Sequence, residues 1–274
     1  MRIPLFHVNA FATQPFNGNP AAVCSLDAWL DDELLRKVAA ENNLSETAFL
    51  VPKGGLHNGI HHELRWFTPR GEVKLCGHAT LASAYVLLRL LQPGLDAVRF
   101  ETRHSGTLTV RKEGESFSMD FPAIFLKTCL SPPESLIPAL GPGPAPCEIL
   151  EANQTYVAVY NNEGAIQNMR PDLARLEQLH PFVAAVTAPG DHVDFVSRYF
   201  KPSYGMPEDP VTGSLHCALT PYWAGRLNKA RLHARQLSER GGELWCELAR
   251  GEPTKDRVLL KGHAVLTLRG SLQI

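Results

Sequence analysis

Apolar and polar residues alternate in several stretches of the chain, a pattern that is typical of strands with one buried face. These predicted strands are residues 5–11, 63–67, 98–101, 107–111, 117–121, 156–160 and 258–268. In other stretches apolar residues recur at helical spacing, which predicts helices. The predicted helices are residues 32–41, 79–91, 174–179 and 215–223. Because the strands outnumber the helices and do not alternate regularly with them, the pattern predicts an α+β protein.

A short pattern occurs once in each half of the chain. Each copy has a Phe-x-Pro segment, then a glycine, then an apolar helix; the copies are Phe67-Thr68-Pro69 with Cys76-Gly77-His78-Ala79, and Phe200-Lys201-Pro202 with Thr212-Gly213-Ser214-Leu215. The two glycines are 136 positions apart (213 − 77), about half of the 274 residues. This spacing favours gene duplication and two similar domains, although patterns this short also recur by chance. The proline-rich segment 131–146 predicts a loop that separates the halves.

Charge and composition exclude several classes of partner. The net charge of −1 gives no reason to expect nucleic acid or an anionic membrane as a partner. No apolar stretch approaches the roughly 20 residues that span a bilayer, and the first residues lack the apolar run of a secretory signal. None of the six cysteines forms a CxxC pair. We therefore expect a cytoplasmic protein with reduced thiols.

Both copies of the repeated pattern place a glycine at the start of a predicted helix. The first N–H groups of a helix have no partner inside it and lie at the positive end of its dipole. Because glycine lets a ligand approach the backbone closely, Gly77 and Gly213 are candidates for holding a carboxylate. The alternative is two buried helices with small capping residues, in which Ser214 only stabilises the helix start.

Five motifs carry a resemblance to a known family. They are Asn17-Gly18-Asn19-Pro20, Leu44-Ser45-Glu46-Thr47-Ala48-Phe49, Phe67-Thr68-Pro69, Cys76-Gly77-His78-Ala79-Thr80 and Glu208-Asp209-Pro210-Val211-Thr212-Gly213-Ser214. Together they resemble the phenazine-biosynthesis-protein-like family, which shares its fold with diaminopimelate epimerase and proline racemase. Each motif is short, but their order and spacing make the resemblance specific, and it covers essentially the whole chain.

The resemblance implies a diaminopimelate-epimerase-like α+β fold. Two similar domains would each wrap a curved mixed β-sheet or barrel around a central helix, with the active site in the cleft between them. Because the last strand returns to the first domain in this fold, we expect one domain at residues 1–117 plus 266–274 and the other at residues 118–265. Dimers are common in this fold, which makes a homodimer one expectation, but the sequence leaves the oligomeric state open.

The resemblance further implies an isomerase that needs no cofactor and acts on a small carboxylate-bearing substrate. Glu46 matches the glutamate that moves a proton between substrate carbons, and partial burial would raise its pKa toward values that suit this role. The alternative for Glu46 is an exposed side chain before a strand. His78 and Asp209 match residues that contact the substrate or transfer protons. Their alternatives are local, as capping or packing side chains.

Other residues at the same motifs are implied to bind the substrate. Gly77, Gly213 and Ser214 would hold its carboxylate, and Asn19 would add a polar contact. Two residues, Cys76 and Thr212, occupy the positions of the paired catalytic thiols of diaminopimelate epimerase and proline racemase. Thr212 cannot act as an acid or base at neutral pH, which disfavours a two-thiol racemase. We expect the helix start to lower the thiol pKa of Cys76.

Metal and nucleotide sites are not predicted. His57, His61 and His62 precede Glu63, but the segment lacks zinc-site spacing. No GxGxxG motif follows a predicted strand, so no nucleotide cofactor is expected. Two alternatives to a glutamate-dependent isomerase stay open: a ligand-binding or protein-interaction module without catalysis, and a thiol-based amino-acid racemase.

Overall fold

The computed structural model describes residues 1–54, 60–249 and 256–274. They form two compact units, which we call unit 1 (residues 1–120 and 261–274) and unit 2 (residues 121–260). The resemblance implied changes of domain at 117/118 and 265/266. None of the described helices combines the length and the apolar character needed to cross a membrane.

Strands make up most of the regular structure. In chain order they are β1 (Arg2–Ala10), β2 (Asn19–Ser25), β3 (Glu46–Pro52), β4 (His61–Thr68), β5 (Gly71–Val73), β6 (Ala97–Thr102), β7 (Gly106–Glu113), β8 (Ser116–Pro122), β9 (Lys127–Thr128), β10 (Glu148–Ala152), β11 (Thr155–Val159), β12 (Val183–Pro189), β13 (Phe195–Lys201), β14 (Met206–Glu208), β15 (Arg231–Gln236), β16 (Gly242–Ala249), β17 (Arg257–Gly262) and β18 (Ala264–Gln273).

The helices are fewer and mostly short. They are α1 (Asp32–Asn42), α2 (Gly77–Tyr85), α3 (Leu136–Ala139), α4 (Glu163–Gln167), α5 (Leu173–Glu177) and α6 (Gly213–Leu227). A π-helical turn, Val86–Leu91, continues α2, and a 3₁₀ turn, Pro202–Tyr204, follows β13. The α+β class predicted from the sequence is confirmed.

In unit 1 the strands pair in the order β18-β1-β2-β3-β4-β6-β7-β8, with β5 hydrogen-bonded to β4. The β2–β3 and β4–β6 pairs are parallel, and the other pairs are antiparallel. In unit 2 the order is β9-β10-β11-β12-β13-β15-β16, with β14 on β13. Here β11–β12 and β13–β15 are the parallel pairs.

The two units therefore repeat one topology. From β1 in unit 1 and from β10 in unit 2, the successive pairs have the same orientations, and the long helix falls at the same place, after the short returning strand. The phenylalanines of the repeated sequence pattern occupy matching places: Phe67 lies in β4 and Phe200 in β13, and each is buried in the core of its own unit. The prediction of two similar domains with mixed sheets and central helices is confirmed.

Both long helices of the repeat are enclosed by their own units. In α2 every residue from His78 to Ala84 is buried, and the helix packs against β1, β2 and β3. In α6 the buried residues also lie on all sides, and the helix packs against β15 and β16. A helix that is apolar around its whole circumference is stable only when it is surrounded. The helix starts are thereby held in fixed positions within each unit.

Several strands were missed by the sequence patterns. In β3 every residue except the last is buried, and β2 and β12 are also buried along nearly their whole length. Strands covered on both faces do not alternate, so a period-two search does not find them. The strand predicted at residues 258–268 is wrong as a single element, because it breaks at His263: β18 pairs with β1 only from Ala264 onward.

Candidate active site

Three side chains with acid–base chemistry meet in unit 1. Glu46 is the first residue of β3, Cys76 immediately precedes α2, and His78 is the second residue of α2. The Nε2 atom of His78 lies 3.2 Å from Oε2 of Glu46, and its Nδ1 atom lies 3.5 Å from Sγ of Cys76. The exposed fractions are 8% for Glu46, 7% for His78 and 6% for Cys76. We call these three residues the unit 1 cluster.

The sheet and the helix start fix the geometry of this cluster. Glu46 is paired with Ala21 of the neighbouring parallel strand β2, inside the sheet, so the backbone that carries its carboxyl group cannot shift freely. Cys76 has an extended backbone, and its carbonyl accepts the N–H of Thr80 at 3.1 Å and the Thr80 hydroxyl at 2.6 Å. The alternative of an exposed Glu46 before a strand is therefore wrong.

Burial and neighbouring charges set the protonation of the cluster. Burial opposes a charge on His78, yet the Cys76 sulfur and the Glu46 carboxylate beside it raise the pKa of His78 well above its usual value. The raised pKa favours an imidazolium that forms an ion pair with the Glu46 carboxylate. Burial, and then the Glu46 carboxylate, raise the pKa of the Cys76 thiol. The expectation that the helix start lowers this pKa is wrong, because burial outweighs the effect of the dipole.

A different cluster lies before α6 in unit 2. The Thr212 hydroxyl donates to Oδ2 of Asp209 at 2.7 Å, and Lys201 Nζ lies 3.8 Å from the same oxygen. Gln236 of β15 closes the network: its Nε2 donates to the Asp209 carbonyl at 2.6 Å, and its Oε1 accepts the Thr212 N–H at 2.9 Å. Asp209, Thr212 and Gln236 are 5%, 6% and 0% exposed. We call these four residues the unit 2 cluster.

The unit 2 cluster includes a residue that sequence reasoning did not select. Gln236 lies in a strand, far along the chain from Asp209 and Thr212. Its role depends on a tertiary contact, which no local sequence motif can indicate. A buried glutamine without hydrogen bonds is costly, which explains why it is tied to two backbone groups. Its contacts set the position of the segment that leads into α6.

The start of α6 leaves room beside its first residues. A Cβ added at Gly213 would meet Leu260 Cδ1 at an ordinary 3.6 Å, and Ser214 is exposed. A cavity of about 100 Å³ opens next to Ser214, with Leu215 and Tyr199 among its lining residues. Burial raises the pKa of Tyr199, so its hydroxyl stays protonated and can donate a hydrogen bond.

Asn19 lies close to Glu46 by strand register. It is the first residue of β2, fully buried, two positions before the Ala21 that pairs with Glu46. Because side chains two positions apart on a strand share a face, Asn19 and Glu46 lie on the same face of the sheet. The preceding Gly18 has φ +71°, and a Cβ there would lie 2.3 Å from the Ala10 carbonyl oxygen. Only glycine fits that turn.

The histidines near residue 60 do not form a common site. His61 and Glu63 lie on one face of β4 and His62 on the other, as alternation along a strand requires. His62 is buried, and burial lowers its pKa to about 4. Glu63 accepts the indole N–H of Trp29. His57 lies outside the described residues.

Comparison with known proteins settles the family. The sequence profile of the phenazine biosynthesis-like protein family matches residues 8–270. The chain belongs to this family. An uncharacterised isomerase of Pseudomonas aeruginosa is 50% identical to the chain over 274 residues, which cover 100% of both proteins. A crystal structure of a phenazine biosynthesis protein family member from Enterococcus faecalis is 40% identical, with a TM-score of 0.91 and complete coverage of both chains.

More distant solved structures share the fold of this chain, but their low sequence identity says nothing about its chemistry. A hydroxyproline epimerase from Agrobacterium vitis, crystallised with trans-4-hydroxy-L-proline, is 10% identical, with a TM-score of 0.63 over 99% of this chain and 92% of its own. The resemblance drawn from the five motifs is thus confirmed, both for the family and for the epimerase-like fold. The class of this family member is that of an isomerase. The roles of the individual site residues stay predictions.

Proposed function

We propose that the protein moves a proton between carbons of a small carboxylate-bearing substrate and that Glu46 carries the proton. The observation that supports this most directly is the buried contact of 3.2 Å between Glu46 Oε2 and His78 Nε2 at the start of α2. A carboxyl group held inside a sheet, away from bulk water, is a strong candidate for a proton carrier.

In the proposed reaction Glu46 first acts as a base. A cationic His78 favours the carboxylate form of Glu46, which is the form that can accept a proton. Glu46 takes a proton from a substrate carbon next to an unsaturated system, and the electron pair left behind is delocalised into that system. The same carboxylic acid then returns the proton to another carbon. No proton is gained or lost overall, and no cofactor takes part in either step.

The remaining site residues are assigned to substrate binding. We assign the substrate carboxylate to the backbone N–H groups at the start of α2, at Gly77; the start of α6, at Gly213, is a second candidate for holding an anion, within unit 2. The Ser214 hydroxyl is exposed beside one of these groups and can add a hydrogen bond. Within unit 1, Asn19 would bind a polar group of the substrate from β2. Within unit 2, Asp209 and Thr212 are candidates for binding the polar groups of a ligand. The cluster geometry supports these roles because each side chain is held in one place.

A two-thiol racemase fits the chain less well. The second thiol position is Thr212, whose hydroxyl donates to Asp209. The nearby Cys217 is buried in α6, and burial raises its pKa to about 12, so its thiolate is absent at neutral pH. Cys217 therefore cannot replace the missing second thiol as an acid or base at neutral pH.

Hydrogen exchange into candidate acids tests the proposal. Two acids would be incubated with the protein in deuterium oxide that contains a chelator: trans-4-hydroxy-L-proline and an amino- and hydroxy-substituted cyclic carboxylic acid. NMR would follow the deuterium that becomes bound to carbon. We expect Glu46→Gln to slow exchange by roughly 10²–10⁴-fold, the usual contribution of a positioned acid–base group. The matched control is Glu41→Gln, a change at an exposed residue of α1.

The outcomes separate catalysis from binding. Exchange that depends on Glu46 but not on Glu41 supports the proposal. Exchange at the wild-type rate in Glu46→Gln contradicts the assigned role of Glu46. Binding of an acid without any exchange in the wild-type protein supports a non-catalytic module instead.

A further inference from the structure

The unit 1 cluster brings together three kinds of metal ligand. Glu46 offers a carboxylate oxygen, Cys76 a sulfur and His78 a ring nitrogen, and these three atoms all lie within 4.8 Å of one another. Each of the three residues is buried. The sequence did not predict this set, because Cys76 and His78 are only two positions apart and Glu46 comes from a different strand. The fold, not the spacing along the chain, makes the group.

We propose that the unit 1 cluster is a binding site for Zn²⁺. Sulfur, imidazole and carboxylate ligands in one place suit zinc, whereas magnesium and calcium prefer oxygen ligands alone. Three protein ligands leave the fourth tetrahedral position for water or a substrate oxygen, as in open zinc sites. The binding part of this proposal does not depend on the catalytic role given to Glu46.

Two of the three ligand–ligand distances in the cluster are close to those of a zinc site. With ordinary zinc–ligand bond lengths, tetrahedral geometry separates a nitrogen and an oxygen ligand by about 3.4 Å and a nitrogen and a sulfur ligand by about 3.6 Å. In the structure His78 Nε2 lies 3.2 Å from Glu46 Oε2 and 3.9 Å from Cys76 Sγ. Side-chain movements of a few tenths of an ångström bring these two pairs to the required separations.

The charges of the ligands also match the ion. A thiolate, a carboxylate and a neutral imidazole carry a total charge of −2, so a bound Zn²⁺ leaves the buried cluster electrically neutral. On binding, the S–H bond of Cys76 is replaced by a zinc–sulfur bond, and the proton goes to solvent. A charged His78 also releases its second proton to solvent before its nitrogen can coordinate. A buried cation is stable only when its charge is compensated in this way.

Zinc at this position would control the proposed reaction. The ion would be coordinated by the carboxylate that moves the proton and by the imidazole that contacts it. Zinc would therefore act as a reversible inhibitor. This consequence, unlike binding itself, rests on the proposed function of Glu46. A chelator would restore activity by removing the ion.

Cobalt provides the spectroscopic test. Full-length protein, freed of metal with a chelator and desalted, is titrated with Co²⁺ in the absence of substrate, and thiolate-to-cobalt charge-transfer absorption is recorded. We expect one equivalent to give a tetrahedral thiolate spectrum, and one equivalent of Zn²⁺ to abolish it. Cys76→Ser should remove the charge-transfer band, and His78→Gln should weaken cobalt binding by at least about 10-fold, a loss expected when an ordered ligand is removed.

Cys147→Ser is the matched control. Cys147 is exposed and the other five cysteines are buried, so it is the cysteine most open to adventitious metal binding. We expect this variant to keep the spectrum and the cobalt affinity of the wild-type protein. The proposal is overturned if the wild-type protein gives no thiolate band, if the band survives in Cys76→Ser, or if it is lost in Cys147→Ser. Circular dichroism checks that each variant is folded.

Inhibition is measured separately in the deuterium exchange assay. With zinc binding established by cobalt, exchange that is unaffected by saturating Zn²⁺ contradicts the inhibitory role. Exchange that does not depend on Glu46 in the presence of a chelator contradicts the proposed function and leaves the metal site intact. The two failures therefore give different results.

Discussion

The helices α2 and α6 begin with the same backbone geometry, but the side chains beside their first residues differ in their acid–base chemistry. Each is preceded by a residue with an extended backbone, Cys76 or Thr212, followed by a glycine. Four residues after the extended residue, a buried side chain bonds back to its carbonyl: Thr80 donates its hydroxyl to Cys76, and His216 Nδ1 lies 2.8 Å from the Thr212 oxygen. Shared topology has preserved the backbone of the helix start in both units.

The difference lies in whether the clusters can change protonation. In unit 1, neighbouring groups raise the pKa of His78, and a carboxylate and a thiol are its direct partners. In unit 2, burial lowers the pKa of His216 to about 4, so this histidine stays neutral, and Asp209 is tied into hydrogen bonds with Thr212 and Gln236. One helix start is therefore suited to proton transfer, and the other to holding a ligand in a fixed position.

The largest expected effect comes from breaking the fixed network of unit 2. Gln236→Met keeps the approximate length of the side chain but leaves the Asp209 carbonyl and the Thr212 N–H without their buried partner. Each unsatisfied buried group costs about 1–3 kcal/mol, so we expect the free energy of unfolding to fall by about 3–4 kcal/mol. Chemical denaturation measures this loss.

The control for this variant is Gln178→Met, a change at an exposed glutamine after α5. Its free energy of unfolding should stay within about 0.5 kcal/mol of the wild-type value. A loss below about 1 kcal/mol in Gln236→Met would show that the network does not hold the segment before α6. The statement that the unit 2 cluster holds a fixed position would then be wrong.

The second effect is the acid sensitivity that His216 gives to unit 2. Its folded pKa of about 4 lies below the ordinary value of 6.5. The unfolded chain therefore binds a proton first, and the stability contributed by the neutral side chain, complete above pH 6.5, is lost as the pH falls. We expect protonation of this one residue to lower the free energy of unfolding by about 3 kcal/mol between pH 7 and pH 4.

Unfolding free energies at several pH values between 7 and 4 test this sign. In His216→Gln the decline should be smaller by about 3 kcal/mol, although the variant starts from a lower stability at pH 7. His192→Gln, at an exposed histidine of unit 2, should decline like the wild-type protein. If the free energy of unfolding of His216→Gln falls with pH as steeply as that of the wild-type protein, the fold does not keep this histidine neutral.

Sequence patterns predicted the two-unit plan because short motifs record helix starts and turns. The repeated Phe-x-Pro segments mark buried phenylalanines before a tight return, and both copies are visible in the sequence. Fully buried strands such as β3 and β12 were missed because neither face is polar. For the site, Glu46 and His78 were found through motifs, and the structure brings them into contact.

Two features of the clusters depend on distances between remote segments and could not be predicted. Gln236 joins the unit 2 cluster from β15, across 24 positions of sequence from Thr212. Cys76 was expected to have a lowered thiol pKa from the helix dipole alone. Its burial and the nearby Glu46 reverse the direction, and both of these depend on tertiary packing.

The smallest expected effect sharpens the unit 1 side of the comparison. His78→Gln retains a hydrogen-bond donor for Glu46 but removes the positive charge. We expect deuterium exchange to slow by about 10–100-fold, equivalent to about 1.4–2.7 kcal/mol in the barrier. Because the pKa of His78 is raised, the wild-type rate should fall only at a pH above the ordinary value of 6.5, as the imidazolium loses its proton. His78→Gln should lack this alkaline decline, whereas His216→Gln, which alters the neutral histidine of unit 2, should keep it. An alkaline decline at the same pH in both variants would assign it to another group, and the charged histidine would no longer distinguish the two helix starts.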